Sequence, residues 1–281
     1  MIFFTEEEID RFISEDIPYG DLTTQSLGIG HKEGAIRFSP RGRTVVCCTE
    51  EVKRIFDRLR IETKQHMPSG STVEDREVFL EAEGSAGDLH KAWRIGLNLL
   101  EYSSGIATRT KAFVDAARAV NPGIVIATTR KSLPGARKIA MKAVISGGAV
   151  PHRLGLSETV LVFDAHMRFS GGIEGFITQM PMLKKRLSEN KITVEVQSEE
   201  EAVRMAEAGV DIIQLDKLSA GEMERVVKAV RRLSPGTLVA AAGGINEGNV
   251  RDYAGTGADI IVTSALYFGK PADIKAEIMP L

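Results

Sequence analysis

The apolar positions change rhythm about a third of the way along the chain. Up to residue 103 they fall in short mixed patches; beyond residue 107 they recur as compact runs separated by helical stretches. The runs are IVIAT (124–128), TVLVF (159–163), ITVEV (192–196), DIIQL (211–215), TLVAAA (237–242) and DIIVT (259–263). They are continuous rather than alternating, the pattern of parallel strands covered on both faces. Segments of helical spacing lie between them, such as 198–208 and 219–233, and AGVD and TGAD mark helix-to-strand turns. This β-then-α alternation predicts a (β/α) barrel or a doubly wound sheet.

The first hundred residues read differently. Thr5 followed by three glutamates predicts a capped helix, with the turn-rich DIPYGDLTT behind it. Short strands are predicted at 35–39, 44–49 and 78–83, broken by Gly, Pro and charged turns. Leu89, Trp93, Ile95, Leu97 and Leu100 predict a helix over 86–103. The expectation is a small α/β domain at 1–105, a barrel domain at 106–269, and a tail, 270–281, returning to the first.

Composition narrows the classes. A chain of 281 residues, 43% hydrophobic, can bury a full core, and a net charge of −2 argues against a nucleic-acid coat. Cys47 and Cys48 are adjacent and are the two cysteines. Read as strand neighbours they point to opposite faces, so a structural disulfide is not expected and a reducing, cytoplasmic setting is. The acidic start MIFFTEEEIDRF lacks the basic n-region and apolar core of a signal peptide, so none is expected, and no apolar run reaches membrane-spanning length.

Charge is nevertheless uneven. No Asp or Glu occurs from residue 116 to 157, where the chain's average would put about six acids; seven Lys/Arg and one His lie there. Arg130, Lys131, His152 and Arg153 stand beside strand runs and Gly/Pro turns. Guanidinium forks grip carboxylate or phosphate, and lysine adds a mobile point charge, so a small, multiply anionic ligand is expected. Arg137, Lys138 and Lys142 are spaced along one helical run and read either as part of this anion-binding segment or simply as the wet face of their helix.

Barrel enzymes keep their chemistry at the C-terminal ends of the strands. Arg130 and Lys131 follow the first barrel run and His166 the second; Glu195 lies in the third and Asp216 ends the fourth. Gly243 and Gly244 follow the fifth and Ser264 the sixth. The glycines read either as a tight turn or as a phosphate cradle aided by a helix starting near Asn246. Glu195 and Asp216 read either as structural partners of barrel cations or as ligands of Mg²⁺ on a pyrophosphate. Arg94 either snorkels along its helix or reaches a ligand.

EDIPYGDLTT, WRIGLNLLEYSSGIAT, TRKSLPGARK, KAVISGGAVPHRLGLSE, VEVQS, QLDKL, AAAGGI and TGADIIVTSALY, in this order, resemble the quinolinate phosphoribosyltransferase family along nearly the whole chain. The resemblance implies an N-terminal α/β sandwich, an open (β/α) barrel of about seven strands, and a homodimer with shared active sites. It implies that Arg94 enters the partner's site and that Arg130, His152 and Arg153 bind the substrate carboxylates. Lys131, Glu195 and Asp216 then surround phosphoribosyl pyrophosphate and its Mg²⁺, with the 5′-phosphate on Gly243, Gly244 and Ser264.

The departures from that family are specific. Its substrate lysine is Phe163 here, the following asparagine is Ala165, the asparagine before His-Arg is Pro151, and the Glu and Ser of E-A-S-G-G are Ala240 and Ala242. These changes resemble the ModD pyrophosphorylases associated with molybdenum transport. The expected activity is transfer of ribose 5-phosphate from phosphoribosyl pyrophosphate to a ring nitrogen of a quinolinate-like aromatic carboxylate. The alternatives are a ModD-type enzyme with another substrate and a non-catalytic anion binder. Nucleic acid and membrane are not expected as partners.

Overall fold

The computed structural model describes residues 2–281. Contacts divide the chain into two compact units, one of 1–112, 132–148 and 267–281, the other of 113–131 and 149–266.

In the first unit, α1 (Glu6–Asp16) starts with the capping box read from the sequence: the Thr5 and Glu8 side chains bond each other's backbone N–H. Asp21 caps α2 (Leu22–Leu27). There follow β1 (Glu33–Pro40), β2 (Thr44–Val45), α3 (Thr49–Arg58), β3 (Glu62–His66), β4 (Thr72–Val73) and β5 (Leu80–Ser85). The strand expected at 44–49 stops at Val45. Cys48 is left-handed (φ 59°) at the start of α3, so the argument that strand neighbours face apart does not apply to the cysteines. Both are buried free thiols, their sulfurs 3.9 Å apart.

The helix predicted to end at 103 is α4 (Ala86–Arg118), running 33 residues without a break. No Gly-Pro or capping signal interrupts it, so a change in composition near 105 did not mark a change in backbone. After β6 (Val125–Thr128) comes α5 (Arg137–Ser146), which belongs to the first unit. A Cβ on Gly147, at its end, would lie 2.6 Å from the Ala107 carbonyl oxygen, so α5 closes on α4 there only with glycine.

The remaining elements are β7 (Val150–Pro151), β8 (Val160–Val162), α6 (Asp164–Arg168), α7 (Gly172–Arg186), β9 (Ile192–Val196), α8 (Glu199–Glu207), β10 (Ile212–Asp216), α9 (Ala220–Leu233), β11 (Leu238–Ala242), α10 (Val250–Ala254), β12 (Ile260–Thr263) and β13 (Ile274–Pro280). The tail strand β13 pairs antiparallel with β1 in a sheet ordered β13-β1-β5-β3. β3, β4, β7 and β13 had no strand reading in the sequence.

The second unit is built on one parallel sheet, β7-β6-β12-β11-β10-β9-β8. Consecutive strands are neighbours from β8 round to β12, β12 pairs with β6 and β6 with β7, and only the consecutive pair β7 and β8 is left open, so this is an open barrel rather than a doubly wound sheet. Pro151 lacks an N–H and sits on an edge strand, where that loss is tolerated. Ala127, Ala240, Ala242 and Val262 pack with Ile212 and Ile260 as the interior layer beneath the strand ends. Among the described residues no helix is long and apolar enough to cross a membrane.

Candidate active site

A parallel sheet brings all its C-terminal strand ends to one rim, and here that rim encloses a cavity of about 630 Å³. Arg130 and Lys131 reach it from the turn after β6, His152 and Arg153 from the end of β7, and Phe163 from the end of β8. Glu195 comes from β9, Asp216 from β10, Gly243 and Gly244 from the turn after β11, and Ser264 from the end of β12. Residues scattered over 135 positions of sequence thus meet because their strands are neighbours.

The cationic wall has no internal counter-charge. Among the described residues Arg130, Lys131 and Arg153 form no ion pair. Burial lowers the Arg153 pKa and the adjacent Arg130 charge lowers it further. Burial likewise lowers His152, with Arg153 adding repulsion. Like charges held together without acids form a receptor for an anion.

The opposite wall is acidic. Burial raises the Glu195 pKa and the neighbouring Asp216 charge adds to it, against a hydrogen bond from Gln214 and the charges of Lys131 and Lys217. Gln214 Nε2 donates to Glu195 Oε2 at 2.6 Å, and Lys217 Nζ lies 3.6 Å from Asp216 Oδ2. Among the described residues no group of three or more His, Cys, Asp or Glu could hold a metal. A two-carboxylate site fits an ion that keeps waters and takes its other oxygens from a substrate, as Mg²⁺ does.

Between the walls runs the glycine turn. Gly243 (φ +88°) is obligatory: a Cβ there would lie 2.6 Å from Asp216 Oδ1 and 2.7 Å from Lys217 N. The Lys217 N–H donates to the Ala242 carbonyl at 2.9 Å, and Lys217 itself is left-handed at φ 62°. Side-chain amides of Asn246 and Asn249 both bond the Gly244 carbonyl, at 3.1 and 3.2 Å. The N–H groups of Gly243 and Gly244 find no acceptor among the described residues. The helix expected near Asn246 begins at Val250 and has five residues, because the intervening turn is closed by Asn246 and Asn249 instead. Backbone donors of the turn, rather than a helix end, are what an anion would meet.

Two sequence readings resolve differently, and a third, Arg94, concerns a site outside its own chain. Lys142 does not lie on a wet face: its ammonium is buried between Glu50, at 2.7 Å, and Glu51. His166 does not line the cavity; its Nδ1 accepts the Phe163 N–H at 3.0 Å and its ring stacks on Phe163. Arg94 is exposed on α4 in the first unit, its guanidinium 5.3 Å from the Trp93 ring centre, and is not among the cavity-lining residues.

Gln214, Lys217 and Asn246 line the cavity and were not singled out in the sequence. Gln214 carried a usable signal, a polar residue two positions before Asp216 and therefore on the same strand face. Lys217 carried none, since its left-handed backbone is imposed by the turn packed against it.

Fold and cavity together define a barrel enzyme that handles phosphorylated, anionic ligands at its strand ends. Residues 21–104 and 106–277 match the N-terminal and C-terminal domains of quinolinate phosphoribosyl transferase. The chain is 37% identical over 278 residues to a Pasteurella multocida protein that carries the provisional name of pyrophosphorylase ModD, covering 99% of each chain. It is 41% identical over 251 residues to a similarly named Rhodobacter capsulatus protein, covering 89% of this chain and 95% of the other. The crystal structure of the Ehrlichia chaffeensis nicotinate-nucleotide pyrophosphorylase superposes with a TM-score of 0.89 at 27% identity, covering 99% of this chain and 100% of that one. The chain belongs to the quinolinate phosphoribosyltransferase family. It is a phosphoribosyltransferase, an enzyme of the pentosyltransferase class.

Proposed function

We propose that the enzyme transfers ribose 5-phosphate from phosphoribosyl pyrophosphate to a ring nitrogen of a small aromatic carboxylate. The observation that carries this reading is a single cavity with an unpaired cationic wall, an acidic wall and a glycine turn with unpartnered N–H groups. The glycine turn and Ser264 would take the 5′-phosphate. Arg130, His152 and Arg153 would hold the acceptor's carboxylate, and Phe163 would stack on its ring.

The C1–O bond of the sugar breaks with its electron pair leaving on pyrophosphate, and the ring nitrogen's lone pair forms the new C1–N bond. The carbon between them passes through an oxocarbenium-like state, as in glycoside cleavage. Glu195 and Asp216 would hold Mg²⁺, which when bound would supply positive charge to offset that of the departing pyrophosphate. Lys131 adds a positive charge on the other side of the cavity. The protein's own contribution is therefore orientation and charge, with no covalent nucleophile required.

The nicotinate-nucleotide pyrophosphorylase name of a structural neighbour supports a pyridine carboxylate as acceptor. The provisional ModD names, together with Phe163 at the position of the family's substrate lysine, support a second reading: a different aromatic acid, in molybdenum-linked metabolism. Both are tested by incubating the protein with phosphoribosyl pyrophosphate, Mg²⁺ and a panel of pyridine and bicyclic aromatic carboxylates, and measuring pyrophosphate release. Release with one acid is expected. No release from any, together with no Mg²⁺-dependent binding of phosphoribosyl pyrophosphate, would overturn the proposal.

The active unit is proposed to be a homodimer, with exposed Arg94 serving the partner's site. Mixing Arg94→Ala and Lys131→Ala proteins should then restore part of the activity through hybrid dimers. Absence of recovery despite demonstrated subunit exchange would rule out a shared site.

A further inference from the structure

We infer that Gln214 is a substrate-binding residue whose side-chain carbonyl accepts a hydrogen bond from a hydroxyl of the sugar, while its amide holds Glu195 in place. The inference rests on the proposed placement of the phosphoribosyl group. Gln214 is only 5% exposed and lines the cavity. In the β9-β10-β11 register it sits beside Glu195 on one side and Ala240 on the other. Its Nε2 donates to Glu195 Oε2 at 2.6 Å, and that bond fixes which way the amide points. The reversed amide would set a carbonyl oxygen against a carboxylate oxygen and lose the only bond the side chain makes.

With the amide so fixed, Oε1 is buried and has no hydrogen-bond partner among the described residues. The β11 residues alongside are Ala240 and Ala242, which offer methyl groups and no side-chain donor. A glutamine retained purely to brace Glu195 would leave this carbonyl desolvated and unpaired, an unfavourable arrangement that folded proteins usually avoid. The missing donor therefore belongs to something that enters the cavity.

The chemistry of that donor follows from position. In the proposed function the 5′-phosphate lies on the turn after β11 and the pyrophosphate lies over Glu195 and Asp216. The sugar joining them crosses β10 and β11, the strand pair that carries Gln214, Ala240 and Ala242. The donors a ribose offers there are hydroxyl groups. Oε1 takes one of them, so Gln214 couples sugar recognition to the carboxylate proposed to hold the metal.

The test compares wild type, Gln214→Met and Gln214→Glu by calorimetric binding of ribose 5-phosphate and of inorganic phosphate. Methionine removes acceptor and donor at similar volume, whereas glutamate keeps an acceptor oxygen and loses the donor. The preference for ribose 5-phosphate over phosphate should fall about tenfold in Gln214→Met and persist in Gln214→Glu. Unchanged phosphate binding shows that the glycine turn has kept its shape.

An unaltered preference in Gln214→Met would overturn the inference, as would equal loss in both variants, which would place the effect in Glu195 alone. A wild-type crystal soaked with ribose 5-phosphate supplies an independent reading, in which a sugar oxygen should lie within hydrogen-bond distance of Oε1. Only a water molecule there would equally overturn it. Wild-type protein that fails to bind phosphoribosyl pyrophosphate with Mg²⁺ would instead remove the proposed function, and this inference with it.

Discussion

The acid-free stretch from 116 to 157 produces two kinds of cation, and they differ only in what the fold brings to them. On α5, Lys138 reaches Glu8 at 2.7 Å, and Lys142 is buried between Glu50 and Glu51. Burial raises the Glu50 pKa, but hydrogen bonds from Lys142 and Ser69 outweigh it and hold the carboxyl at about 2. At the barrel rim, Arg130, Lys131 and Arg153 form no ion pair among the described residues and share a cavity. One set compensates buried charge within the protein; the other is left to bind charge from outside. Local charge density in sequence does not separate the two, because the compensating glutamates lie 91 to 130 residues earlier in the chain.

The largest expected effect is on the compensated side. Lys142→Met leaves Glu51, which is buried, without its cation, and should destabilise the protein by about 3–5 kcal/mol in urea unfolding. Arg153→Met, at the rim, should leave stability unchanged or raise it, because a charge repelled by Arg130 is removed. Equal destabilisation by both would erase the distinction between the two sets.

The distinction should invert in binding. Arg130→Ala or Arg153→Ala should weaken binding of the aromatic carboxylate by about 2–5 kcal/mol, since a desolvated carboxylate loses one of its forks. Lys138→Ala should leave that affinity where it was. Isothermal titration with the acid that supports pyrophosphate release provides the measurement.

Phe163 sharpens the comparison within the rim itself. An aromatic ring there leaves the cavity without the cation that the resemblance to quinolinate enzymes implies at this position, so a ring bearing two adjacent carboxylates should be handled poorly. Wild type should turn over quinolinate weakly or not at all. Phe163→Lys should improve kcat/KM for it by roughly 10–100-fold, the worth of one charge-assisted hydrogen bond. Efficient turnover by wild type, unimproved in the variant, would show that Phe163 does not face the acceptor.

The smallest effect is on stability against pH, and its sign differs across the cavity. His152 has a lowered pKa in the folded state, so its contribution is present above its ordinary value and lost as pH falls through the folded value. His152→Gln should therefore gain on wild type as pH drops below about 6.5. Glu195 has a raised pKa, so its contribution is present at acid pH and lost as pH rises through the folded value. Glu195→Gln should gain on wild type in that direction. Parallel melting curves for either variant and wild type across pH 4–8 would contradict the assignment of buried charge.

What could be read along the chain was whatever depends on neighbouring residues. The barrel strands were legible because a strand covered on both faces must be apolar throughout, and ITVEV matches β9 from first residue to last. The Thr5 cap was legible because its two hydrogen bonds join residues three apart. Glu195 and Asp216 stood out as acids in apolar runs. β7, two residues long and half proline, and β13, a strand only by its pairing with β1, had no such local signature.

The sequence by itself therefore determined six of the seven barrel strands, several of the helices between them, the family, and a short roster of charged residues at the strand ends. Tertiary structure alone decided which of those charges meet a partner. Lys142 is neutralised by glutamates distant in sequence, Lys217 is held left-handed by the Gly243 turn, and Gln214 is left with one end bonded and the other open. The physical reason is range. Propensity and capping act over three or four residues, whereas desolvation and ion pairing depend on which distant segments the sheet order places side by side.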